Sequence, residues 1–140
     1  MKLLVQLDST EPPVYKHADD SGLDLRSTVD IDLAPGARAL VPTGIKIKLP
    51  PLTEAQVRPR SGLAVTSGVT VLNTPGTVDE GYRGEIGVIM INHNSEPFKI
   101  CKGDRIAQLV ICPIYRPEIV VVESLDETKR GENGFGSTGV

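Results

Sequence analysis

The chain has 140 residues, 39% hydrophobic and 24% charged, with 15 basic against 18 acidic side chains for a net charge of −3. That size and balance describe one globular domain and exclude both a multidomain machine and a chain too polar to bury a core. A net negative field repels polyanions, which excludes nucleic-acid binding through bulk charge, so any phosphate must be held by local groups.

Only 4% of residues are aromatic, whereas Gly (14) and Pro (11) are plentiful, which favours turn-rich β structure over a helical bundle. The start MKLLVQLDST carries a short apolar run at 3–7, broken by Gln6 and Asp8, with no small-residue cleavage site. Nowhere do the roughly 20 apolar residues of a membrane span occur, so a cytoplasmic protein without membrane contact is expected. Short alternating or β-branched runs then recur at 23–33, 39–49, 55–59, 68–72, 86–92, 105–115 and 118–123, between Gly, Pro, Asn and Asp punctuation. This spacing predicts an all-β sandwich or barrel.

Ile45, Ile47 and Leu49 alternate with Lys46 and Lys48, one face inward and one in solvent. The runs Ile86–Ile91 and Ile106–Ile111 hardly alternate, which predicts burial on both faces and, in so small a domain, an oligomer. One helical turn is predicted at Ser61–Thr66, capped by Ser61 and closed by Gly68. Residues 1–123 form the β domain. Beyond Glu123 the sequence loses periodicity, and residues 124–140 read as a flexible Gly-rich tail, about 17 residues able to reach up to about 55 Å onto a neighbouring subunit.

Cys101 and Cys112 fit neither CxxC nor a zinc spacing and read as small buried hydrophobes. His17 and His93, in polar loop sequence, read as surface residues, which leaves no zinc or Ser-His-Asp hydrolase to assemble.

Four segments carry chemistry. In VRPRSGLAV, Arg60, Ser61 and an open Gly62 amide suit one or two phosphates, or Arg60 pairs with an acid and Ser61 merely caps. In VLNTPGTVDEGYRGEIG, Asp79 and Glu80 are natural turn residues, yet with no usable histidine a carboxylate there is the best candidate to activate a water. Gln108 in CKGDRIAQLVI is a polar residue in an apolar strand and needs a partner, either backbone or ligand. In the tail, Arg130, four glycines, Phe135, Ser137 and Thr138 offer a guanidinium, approachable amides, hydroxyls and one stacking ring. Simple disorder remains the other reading of that composition. Gly131 and Gly136 have Walker-loop spacing, but Ser137 replaces the lysine and neither strand nor helix flanks them, so a flexible anion clamp is the better description.

Together, SGLDL (21–25), PRSGLA (59–64), NTPGTVDEGYRG (73–84), GDRIAQ (103–108) and RGENGFGSTG (130–139) resemble the five ordered motifs of the trimeric deoxyuridine triphosphatases, the dUTPase family. All five occur in order over nearly the whole chain. Thr74-Pro75 and Ser21 depart from that pattern.

The resemblance implies a jelly-roll-like β-sandwich or barrel of the β-clip kind, assembled as a homotrimer with three active sites between subunits. The first, second and fourth motifs would come from one subunit, the third from another and the tail from the third. The implied reaction is hydrolysis of dUTP to dUMP and pyrophosphate, with Mg2+ as cofactor, which keeps uracil out of DNA and supplies dUMP for thymidylate synthesis.

By the same resemblance Asp79 orients and deprotonates the attacking water, and Arg60, Ser61, Gly62 and Gln108 contact phosphates. Asp24 reaches magnesium through a water, the ion being held mainly by the triphosphate. Asn73 through Asp79, with Thr77 and Val78 among them, form the hairpin that reads uracil through backbone groups, and the Tyr82 ring packs on deoxyribose. Arg130, Phe135, Gly136, Ser137 and Thr138 close over the nucleotide. Two rival classes are weighed: a dCTP deaminase, whose catalytic glutamate falls at the position of Ile89, and a non-catalytic binding module, which is expected to lose Asp79 or the tail.

Overall fold

The computed structural model describes residues 1–139. In chain order these form β1 (Leu4–Leu7), β2 (Leu23–Arg26), β3 (Ile31–Leu33), β4 (Arg38–Pro42), β5 (Ile45–Lys48), β6 (Thr53–Arg58), α1 (Ser61–Ser67), β7 (Val69–Val71), β8 (Gly76–Val78), β9 (Gly87–Asn92), β10 (Phe98–Ile100) and β11 (Arg105–Pro113). The strands pair antiparallel in two larger sheets, β2-β11-β6-β8 and β4-β9-β7, and two ribbons, β1-β5 and β10-β3. The sheets do not close, so of the expected sandwich or barrel it is the open, jelly-roll-like sandwich that forms.

One apolar core joins them. Leu25, Ala55, Val57, Val78, Ala107 and Leu109 point inward from the four-stranded sheet, and Val41, Val69, Val71, Val88 and Met90 from the three-stranded one. Each large side chain fully buried here contributes about 1.5–3 kcal/mol relative to leaving it in water. Buried polar groups are satisfied: Asn92 Nδ2 donates to Leu33 O (3.0 Å) and Glu96 O (2.8 Å), and Thr43 Oγ1 donates to Ile86 O (2.6 Å).

The helix begins after Arg60, whose extended backbone (φ −93°, ψ 126°) makes it the capping residue, without a side-chain cap bond. Ser61 is therefore the first helical residue and not the cap that its hydroxyl suggests. Gly68 ends the helix at φ 61°, its N–H reaching Ala64 O and Leu63 O, a left-handed closure that favours glycine.

Several expectations are corrected. Residues 118–123 form no strand: Ile119 and Val121 are 89% and 92% exposed, and among the described residues no strand pairs with them. β9 alternates after all, with Val88, Met90 and Asn92 inward and Gly87, Ile89 and Ile91 half-buried, since one chain covers only one face of its sheet. β11 hides both faces over Leu109–Val110, whereas Ile106 and Ala107 are buried together on the core side, at a shift in the register with β2. Cys101 is exposed and Cys112 half-buried, as each sits at a strand end and not in the core. Among the described residues no helix is long and apolar enough to cross a membrane. His17 and His93 lie on the surface, as expected.

Candidate active site

The outer face of the four-stranded sheet carries the candidate residues. On β2, Leu23 and Leu25 turn inward and Asp24 outward, as the period of two requires. Across the ladder Asp24 is level with Gln108, and Gln108 with Arg58 on β6. Gln108 Nε2 donates to Pro59 O at 3.0 Å, so the polar residue in the apolar strand has found a backbone partner. Its Oε1 rests against Gly22, where a Cβ would come within 2.6 Å. That contact explains why a glycine precedes Leu23 and Asp24.

Pro59 restricts Arg58 to extended backbone and delivers Arg60 to the start of α1. Arg60 Nη1 donates to Arg105 O at 2.9 Å, which leaves Nε and Nη2 for other acceptors. Ser61 and Gly62 are exposed in the first turn, and nothing lies within 4 Å of where a Gly62 Cβ would be. Arg105 Nη1 lies 3.5 Å from Asp24 Oδ2. Asp24, Gln108, Arg60, Ser61 and Gly62 thus gather at one end of the sheet, a cluster of donors with one carboxylate, the composition that grips a chain of phosphates.

The third segment is a separate body. β8 pairs with β6 through Gly76, level with Val57, and Val78, level with Ala55, so Thr77 points outward and Val78 inward. Thr74 Oγ1 donates to Val71 O, and Asn73 packs its amide against Gly76, where a Cβ would sit 3.2 Å from Nδ2. The turn closes with Tyr82 N donating to Asp79 O (3.0 Å). Tyr82 Oη donates to Glu85 O at 2.9 Å, and the ring covers Gly84 so closely that a Cβ there would fall 2.3 Å from Oη. Asp79 itself is exposed.

Within one chain Asp79 does not join the phosphate cluster. Val78, its predecessor, is level with Ala55 and Gln108 with Arg58, which puts Asp79 more than about 10 Å along the strand and two strand spacings, about 10 Å, across. Nor, among the described residues, does the tail close over the rest of this chain. Arg130, Phe135, Gly136, Ser137 and Thr138 are exposed, and the tail's hydrogen bonds are internal: Arg130 Nε to Asn133 O, Ser137 N to Gly134 O, Gly139 N to Gly136 O.

Three features escaped the sequence reading. Arg116 Nη2 donates to Glu80 Oε2 at 2.9 Å, and Leu52 N–H reaches the same oxygen. Together they hold the Glu80 carboxyl below the usual carboxylate range, Arg116 being the larger cause. Glu80 is thereby a brace for the chain leaving β11, while its neighbour Asp79 stays unencumbered. The Asp24–Arg105 contact and the Gly22–Gln108 packing are the other two, and only the SGLDL spacing hinted at the latter.

Among the described residues no group of three or more His, Cys, Asp or Glu could cage a metal. A single carboxylate at the phosphate cluster does fit a magnesium ion that keeps its waters and takes its other ligands from phosphate oxygens. The fold and site therefore define a mostly β protein with one short helix, in which a donor-rich cluster of the composition that suits phosphates lies at one sheet end and the small 73–82 hairpin is presented separately.

A sequence model of the dUTPase family matches residues 8–139. The deoxyuridine 5'-triphosphate nucleotidohydrolase of Gloeothece citriformis is 62% identical over 128 residues, 91% of this chain and 88% of that one. Its namesake in Clostridium novyi is 58% identical over the full length of both chains. Among solved structures, a G164S mutant of the Staphylococcus bacteriophage 80alpha dUTPase with dUpNHpp superimposes with a TM-score of 0.92 at 28% identity, covering 99% of each chain. The chain belongs to the dUTPase family.

Proposed function

We propose that this chain is a dUTP diphosphatase that hydrolyses dUTP to dUMP and pyrophosphate by attack of water on the α-phosphorus, as a homotrimer with active sites shared between copies. The observation that carries the reading is the meeting of Asp24, Gln108, Arg60, Ser61 and Gly62 at one sheet end in a chain matched over 8–139 by the dUTPase family. The forked guanidinium of Arg60, the Ser61 hydroxyl and the open Gly62 amide bind the phosphate chain and offset charge that grows on its oxygens. Gln108, fixed by Pro59 and Gly22, orients the α-phosphate.

Asp79 of a second copy holds and deprotonates the attacking water, a role open to an exposed carboxylate with no competing partner. The Asn73–Asp79 hairpin reads uracil with backbone groups, leaves no room for a 5-methyl group and presents the wrong polarity to cytosine. Tyr82, anchored on Glu85 O, crowds the sugar's 2′ position. Asp24 would help hold a magnesium ion carried by the triphosphate, through a water, and the ion would supply charge neutralisation at the phosphoryl oxygens. The tail of a third copy closes with Phe135 on the base and Arg130, Gly136, Ser137 and Thr138 near the phosphates, excluding bulk water.

Three features support sharing between copies: the distance of Asp79 from the phosphate cluster, the exposed β-prone stretch 118–123, and a tail whose described residues hydrogen-bond only among themselves. Ile89, half-buried and level with Leu40, is no base, which argues against deamination. Pyrophosphate release with magnesium, compared for dUTP, dCTP, dTTP and UTP, tests the reading: activity confined to dUTP is expected. Ammonia from dCTP would revive the deaminase, and silence on all four would leave a binding module.

A further inference from the structure

Side chains on a strand alternate with a period of two, so Arg105 and Gln108, three apart, belong on opposite faces of β11. Here they share one. Arg105 is level with Arg26 of β2, but Ala107 is level with Leu25 and Gln108 with Asp24. Ile106 is the extra residue of a β-bulge. Burial reports the consequence, since Ile106 and Ala107 both go into the core while Arg105 and Gln108 both reach the outer face. Bulges re-aim side chains in this way, and they are over-represented beside active sites.

The re-aimed side chain meets Asp24, with Arg105 Nη1 3.5 Å from Oδ2 and the two side chains only 28% and 16% exposed. That degree of shelter lifts the contact out of the class of fully solvated ion pairs, which contribute almost nothing. The carbonyl of the same residue accepts Arg60 Nη1 at 2.9 Å. One irregular position in one strand therefore touches two of the candidate site residues, one through its guanidinium and one through its backbone.

We infer that Arg105 is a positioning residue of the phosphate site, set there by the bulge at Ile106, which holds the Asp24 carboxylate so that its other oxygen faces the water shell of the nucleotide-bound magnesium. The inference rests on the dUTP reading of the same site. A carboxylate that acts on a metal through a water has no metal bond of its own to fix its rotamer, so a neighbour must supply the orientation. Arg105 is not itself placed on the substrate. Its effect passes through Asp24 and vanishes when Asp24 can no longer act.

The test is a double-mutant cycle read by magnesium-dependent binding. The full-length chain, Arg105→Gln, Asp24→Asn and the double variant are titrated by calorimetry with α,β-imido-dUTP across a range of magnesium concentrations. Arg105→Gln alone is expected to raise the magnesium midpoint by about 10-fold, the low end for loss of a residue that orients a metal's partner. In the Asp24→Asn background the same substitution should add no further shift. Arg105→Lys, which keeps the charge without the fork, should recover part of the loss and serves also if Arg105→Gln folds poorly. An equal shift in both backgrounds, or none in the native one, overturns the inference. A native chain that hydrolyses dUTP while Arg105→Gln matches its magnesium midpoint sinks the inference alone, whereas a native chain inert to dUTP sinks the reading beneath it and the inference with it.

Discussion

Alanine at Gly22 puts one methyl group against Gln108. The added carbon would stand 2.6 Å from Oε1, 3.0 Å from Cβ and 3.3 Å from Cδ of that residue. The amide oxygen sits at the end of a flexible side chain and swings away easily, but Cβ moves only if β11 moves, and β11 is the central strand between β2 and β6. Overpacking of this kind costs about 1–3 kcal/mol. Swinging the amide also breaks the 3.0 Å bond to Pro59 O and takes Gln108 from the proposed phosphate site, where a displacement of about 1 Å can cost about 10²-fold in rate.

The contrast is Gly62→Ala, where the new methyl group meets nothing within 4 Å. It sits in α1, so alanine should be neutral or stabilise by up to about 0.5–1 kcal/mol while still obstructing phosphate approach to the backbone. Urea unfolding and kcat/KM for dUTP, measured on both variants, separate the cases. Gly22→Ala should lose stability and activity together, and Gly62→Ala activity alone. Native-like stability and activity in Gly22→Ala would refute the packing argument.

Asp79→Asn should bind α,β-imido-dUTP like the native chain but lower kcat by about 10²–10⁴-fold, because an amide accepts the water's proton poorly; near-normal turnover would remove Asp79 from the base role. Deleting residues 124–140 should leave the oligomer mass by light scattering and the urea midpoint unchanged while sharply lowering kcat/KM, because the hydrogen bonds of the tail's described residues are internal to it. Dissociation on deletion would contradict the lid reading. Arg116→Ala should lower the urea midpoint at pH 7. Because Glu80 is held below its unfolded value, that stabilisation is present above the ordinary carboxylate range and lost as pH falls through the folded value, so native and variant midpoints should converge in acid.

Much of the fold lay open in the sequence because short antiparallel strands with one wet face write their geometry as alternation. IKIK in β5, buried-exposed-buried-exposed, is the plainest case. Apolarity alone misled at EIVVVE, which has every local property of a strand but lies exposed and pairs with no strand among the described residues. The small helix was found one residue out of register at its cap, since Arg60, with an unremarkable side chain for the purpose, holds the capping backbone conformation. At the site, Arg60, Gln108 and Asp24 were legible as residue types. The separation of Asp79 from them was not, because it depends on pairing register, and the bulge at Ile106 was invisible because it breaks the very period from which strand faces are read.

The central claim, dUTP hydrolysis at sites completed between copies, is tested most directly by complementation. Asp79→Asn and Arg60→Gln chains, each inactive alone, are unfolded, mixed in equal amounts, refolded and assayed for pyrophosphate release from dUTP. Random assembly leaves about a quarter of the sites with a native Asp79 from one copy and a native Arg60 from another, so about a quarter of native activity should return. A mixture no more active than its two components would mean that each site is built within a single chain, and would contradict the account.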